Sequence, residues 1–110
     1  MVIYRPQNYL GGMLSPTVQL DGKSLVDMDN GRVFIGAILP GHHIFEIENQ
    51  KSGTEVTLKP GSIIYLKVEI VPGVWKGNGQ LTQVALEQGE FEAKRLELIK
   101  PSQIDDPSFR

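Results

Sequence analysis

Residues 17–28 read Thr17-Val18-Gln19-Leu20-Asp21-Gly22-Lys23-Ser24-Leu25-Val26-Asp27-Met28, two short, strand-like segments on either side of an Asp-Gly pair. Successive side chains of a strand face opposite sides, and a two-residue hairpin turn asks for positive φ at both central positions, which Asp-Gly tolerates. The stretch predicts an antiparallel hairpin. The same pattern extends in both directions. Upstream, Val2-Ile3-Tyr4-Arg5 reads as a strand stopped by Pro6, followed by a loop over residues 8–15 that contains Gly11-Gly12. Downstream, Asn30-Gly31 marks a turn, residues 32–39 are rich in β-formers, and Pro40-Gly41 marks the next turn. Alternation then sets His43, Phe45 and Ile47 against His42, Ile44, Glu46 and Glu48.

Further along, residues 50–53 form a polar turn, 55–58 a short strand and Pro60-Gly61 another break. Residues 62–71 give the longest β-rich run, with Ile64, Leu66, Val68 and Ile70 as its core face. Pro72-Gly73 closes that run, 74–79 reads as an exposed loop, and 80–86 as a last strand. From Glu87 the pattern changes: residues 90–100 lack Gly and Pro and are dominated by helix formers, which predicts a short amphipathic helix. The expected fold class is mainly β, an antiparallel β-sandwich with one short C-terminal helix. Residues 1–100 are expected to form a single domain, and 101–110 a polar tail that frays.

Composition narrows the function classes. A chain of 110 residues is one core's worth of sequence, and 40% apolar with 22% charged residues is ordinary for a globular domain. The formal net charge of −2 offers no broad attraction to phosphate backbones, so nucleic acid is not an expected partner. With no cysteine there is no disulfide, thiolate nucleophile or Cys-based metal centre. No apolar run approaches the roughly 20 residues of a spanning helix, so no transmembrane segment is expected.

His42 and His43 are the only histidines; as strand neighbours they face opposite ways and do not suit a shared ion. His43 is expected to pack beside Phe45 and bond a turn carbonyl, leaving His42 exposed. Asp21, Asp27 and Asp29 miss the EF-hand spacing and read as turn formers rather than calcium ligands. Ser15, Ser24, Ser52 and Ser62 lack a nucleophile elbow, and Glu46 with Glu48 reads as a solvated strand face rather than a glycosidase pair. No catalytic residue, metal ligand or cofactor is expected, and the chain reads as not an enzyme. Trp75 is the most informative position. As the one tryptophan, on a loop flanked by glycines, it either anchors a partner or folds back to cap an open end of the sandwich. Tyr9 and Met13 in the first loop, and Asn78 beside Trp75, complete the expected binding patch.

Four segments in order carry a resemblance: Val2-Ile3-Tyr4-Arg5, Ser15-Pro16-Thr17-Val18-Gln19-Leu20-Asp21-Gly22, Leu39-Pro40-Gly41-His42-His43, and Pro60-Gly61-Ser62-Ile63-Ile64-Tyr65-Leu66. Together they resemble the bacterial domain-of-unknown-function family 2846, over residues 2 to about 99. A weaker similarity is to PEGA-type surface domains. Both resemblances imply a transthyretin-like or carbohydrate-binding-like sandwich. They also imply an envelope or secreted location, periplasmic or at the outer membrane, with a lipid anchor in a precursor whose leader is removed. Met1 leading straight into a strand fits a start placed at such a cut. The resulting expectation is a non-catalytic binding or interaction domain that contacts a protein or glycan through loops 7–14 and 74–79. An architectural module self-associating through a strand edge is the alternative, and a hydrolase comes third.

Overall fold

The computed structural model describes residues 1–8, 14–48, 53–70 and 79–110. In chain order the strands are β1 (Val2–Tyr4), β2 (Thr17–Leu20), β3 (Lys23–Asp27), β4 (Arg32–Ile35), β5 (Gly41–Ile47), β6 (Gly53–Leu58), β7 (Tyr65–Ile70) and β8 (Gly79–Val84). Helix α1 (Leu86–Ala93) and β9 (Glu97–Leu98) follow. The strands form a five-stranded sheet, β8-β7-β1-β4-β9, and a four-stranded sheet, β3-β2-β5-β6. The expected mainly β, sandwich-like architecture with one helix is what the chain adopts. The opening hairpin is as read, with Asp21 at φ 49° and Gly22 at φ 86°, the pair of positive angles that a type I′ turn needs.

The two sheets enclose one apolar core. Ile3, Phe34, Leu66 and Val68 come from the five-stranded sheet, and Val18, Val26, Phe45 and Val56 from the four-stranded one. Leu25 and Val26 are both buried although they are neighbours on one strand. A bulge resolves this: Val18 pairs with Val26 and Gln19 with Ser24, so Leu25 is the extra residue of β3. On the far face of the five-stranded sheet, α1 adds a third layer over Val2, Tyr4 and Val33, packing Ala93 against them. β1 is therefore buried on both faces, which explains why Val2, Ile3 and Tyr4 are all buried instead of alternating.

Three features depart from the sequence reading. Among the described residues two of the pairings are parallel, β1 with β7 and β4 with β9, and the others antiparallel. The helix runs over Leu86–Ala93 rather than 90–100, and residues 97–98 form a strand. That strand is fixed by partners distant in sequence: Arg32 pairs with Glu97 through a 2.8 Å ion pair, and Ile99 N–H donates to the Val33 carbonyl at 2.8 Å. Residues 101–110 are docked rather than frayed. Ile104 is buried and bridges Val26, and the Phe109 ring meets Phe34 edge-on, their centroids 5.9 Å apart. Among the described residues no helix is long and apolar enough to cross a membrane.

Candidate functional site

The parallel pairing of β1 with β7 decides where the loops emerge. Tyr4 lies opposite Lys67, so the chain leaving β1 and the chain leaving β7 exit at the same end of adjacent strands. The start of β8 sits there too. A Cβ on Gly79 would lie 3.4 Å from the Ile47 side chain and 3.5 Å from Pro16, which brings the root of segment 71–78 against the roots of 9–13 and 49–52. Three connections therefore spring from one end of the sandwich.

Arg5 organises that end. Its side chain is buried, and its guanidinium donates to the Leu14 carbonyl and, at 2.8 Å, to that of Met28. Burial lowers its pKa while the nearby Asp29 carboxylate raises it. Asn8 and Asn30 exchange two bonds: Asn8 N–H donates to Asn30 Oδ1 at 2.9 Å, and Asn30 Nδ2 donates to the Asn8 carbonyl at 3.0 Å. Between residues 5–8 and 67–70 the two strand ends enclose a small cleft of about 90 Å³, with Arg5, Lys67 and Glu69 as its charged members. Beneath it, Lys67 Nζ is 3.2 Å from Glu92 of α1, and the Tyr4 hydroxyl donates to the same carboxylate at 2.5 Å. Burial, then the Glu92 bond, raise the Tyr4 pKa; that bond, more than the one from Lys67, keeps Glu92 below its ordinary value.

The four residues expected to form the patch, Tyr9, Met13, Trp75 and Asn78, lie outside the described residues. What is described is their attachment, and it converges. The remaining chemistry-bearing groups are spread through the fold. His43 bonds the Leu39 carbonyl through Nε2 at 2.7 Å, as expected, and also faces Asp21 Oδ2 through Nδ1 at 2.7 Å. This Asp–His pair has the first two members of a triad, but the nitrogen that would face a nucleophile is taken by a carbonyl. His42 is exposed, with 57% of its side chain accessible. Asp21 also accepts Ile44 N–H at 2.9 Å, Asp27 accepts the Thr17 hydroxyl at 2.8 Å, and Asp29 accepts that of Ser15, so the three act separately. No group of three or more potential metal ligands gathers among the described residues.

Two clusters have no signal in the sequence. Tyr4, Lys67 and Glu92 meet only because α1 lies over the parallel β1–β7 pair, and Asp27 meets Asp105 only because the last ten residues dock. Both depend on contacts distant along the chain, which local pattern does not encode. Neither family models, curated proteins nor solved structures give a match to this chain.

Proposed function

We propose that the chain is a non-catalytic binding or interaction module, contacting a protein or glycan through loops 7–14 and 74–79 at one end of the sandwich. The observation that carries this reading is the meeting of Gly79 with Pro16 and Ile47, which roots both loops together. A rigid scaffold that gathers its loops at one end is the usual way a sandwich builds a recognition surface. An envelope location is part of the proposal and rests on the family resemblance. Edge-to-edge self-assembly draws less support: β3 is bridged by Ile104, and the Leu81 carbonyl on β8 accepts the Thr54 hydroxyl at 2.8 Å.

Because Trp75 is the only tryptophan, its fluorescence tests the reading directly. In the free protein the indole is expected to be open to acrylamide quenching. Titration with chito-oligosaccharides and soluble peptidoglycan fragments, beside cross-linking to envelope proteins, is expected to give saturable capture by one class. Trp75→Ala is expected to lose that capture while keeping the melting temperature within about 4 °C, as surface changes within about 0.5 kcal/mol do. An indole shielded in the free protein, together with unfolding of Trp75→Ala, would make Trp75 a structural cap and sink the proposal.

A further inference from the structure

Residues 101–110 leave β9 on one sheet and cross to β3 at the edge of the other. They dock at the bulge: the carbonyl of Leu25, the extra residue of β3, accepts Asp105 N–H at 2.9 Å and Asp106 N–H at 3.2 Å. Ile104 bridges Val26 beside it, and Arg110 Nε folds back to donate to the Ile104 carbonyl at 3.0 Å. This brings the Asp105 carboxyl into hydrogen-bonding contact with that of Asp27, the last residue of β3. Asp27 already accepts the Thr17 hydroxyl. Asp105 Oδ2 is buried and meets no donor among the described residues. Two ionised carboxylates in that contact repel, and one of their oxygens is left without a partner. A proton on Asp105 removes both difficulties, because its O–H then donates to Asp27.

We propose that residues 101–110 form a pH-gated strap, closed by a proton that Asp105 holds against Asp27 and loosened when that proton is lost. The strap works independently of the binding role proposed above. Hydrogen bonding to Asp27, then burial, then the Asp27 charge push the Asp105 carboxyl up to about 6; Glu48, just past β5, acts in the same direction and Arg110 against it. Lys23 acts on the neighbouring Asp106. In a released strap Asp105 returns to its ordinary value of about 3.9. Opening therefore releases a proton, so the open fraction climbs as pH rises from about 4 to 6 and levels off above that. The proton's contribution to closure is fully present below about pH 4. Opening bares the backbone of Leu25 and Val26 at the edge of the sheet, beside the root of the first loop, where an added strand can pair.

Amide exchange followed by NMR on the whole chain tests this at the two donors to Leu25. Between pH 4.5 and 7, after correction for intrinsic exchange, opening at Asp105 and Asp106 is expected to rise at least about tenfold relative to the β1 amides. Asp105→Asn places a non-titrating donor against Asp27 and is expected to hold the strap closed at both pH values. Asp27→Asn, which donates in the other direction, is expected to flatten the pH response in the same way and serves if the first variant does not fold. Flat protection in the unmodified chain, or an unchanged pH response in the variants, overturns the latch.

Discussion

His43 sits between two acceptors, the Asp21 carboxylate at Nδ1 and the Leu39 carbonyl at Nε2, and an imidazole satisfies both only by carrying two protons. The Asp21 bond, then the Leu39 carbonyl, raise the His43 pKa above its ordinary value; the His43 bond, then Ile44 N–H, lower that of Asp21. The raised His43 contributes stability that is fully present below its unfolded pKa of about 6.5 and is lost as pH rises through the folded value. The lowered Asp21 contributes stability that is present above about 3.9 and is lost as pH falls through its folded value. The pair therefore stabilises most between about pH 4 and 6.5. Charge-assisted bonds are worth about 1.5–3 kcal/mol, but the Asp21 side chain is 49% exposed, and solvent screening reduces this to about 1 kcal/mol. His43→Gln is expected to lower the unfolding free energy from urea titration at pH 5.5 by that amount and by clearly less at pH 8.5; an equal loss at both would show that the charge contributes nothing. The sequence placed His43 beside Phe45 with a turn carbonyl, because both lie close along the chain. It missed Asp21, which reaches His43 only across the β2–β5 pairing.

At the scale of elements, α1 shows two local preferences in conflict with packing. Gly89 lies inside the helix, where Ala would be favoured by about 1 kcal/mol. Yet a Cβ there would sit 2.3 Å from Tyr65 Cγ, well inside contact distance. The ring is held between α1 and β1, with Tyr4 edge-on to it at 6.3 Å between centroids, so the helix itself must shift. Overpacking costs about 1–3 kcal/mol, and this approach is close enough to use the upper part of that range. Gly89→Ala is expected to destabilise by about 2 kcal/mol net despite its better propensity, read as a fall in melting temperature of roughly 8–16 °C. Glu90→Ala, on the exposed side of the same helix, is expected to change it little. A stabilised Gly89→Ala would show that Tyr65 yields. The same glycine explains the displaced helix: a reading that starts a helix only after the last Gly begins at residue 90, four residues too late. Its end was equally hidden, since no Gly or Pro stops α1 and β9 owes its strand form to pairing with β4. Strands bounded by turn residues, β2 and β3 above all, were legible because their limits are written locally.

For the molecule as a whole, the decisive fact is how the two sheets are closed along their sides. On one side Thr54 of β6 reaches the Leu81 carbonyl of β8; on the other, residues 101–110 run from β9 to β3. Neither closure can be read from the sequence. The second involves a segment whose polar composition suggested a free tail, though it carries Ile104 and Phe109 as anchors. The candidate site has the same character: Gly and Pro marked the loops, but their convergence depends on β1 running parallel to β7. The two closures differ in chemistry and hence in cost. Thr54→Val removes one hydrogen bond worth about 1 kcal/mol. Ile104→Ala removes a buried aliphatic side chain, 7% exposed, and belongs to the class of changes costing about 2–5 kcal/mol. It also weakens the contact that covers the outer edge of β3, so a second consequence separates it from an ordinary core truncation. Ile104→Ala is expected to lower the urea midpoint more than Thr54→Val, and sedimentation velocity is expected to show concentration-dependent association for Ile104→Ala alone, through the uncovered β3 edge. If Ile104→Ala costs no more than Thr54→Val and associates no more than the unmodified chain, the last ten residues are an appendage and the sandwich is complete without them.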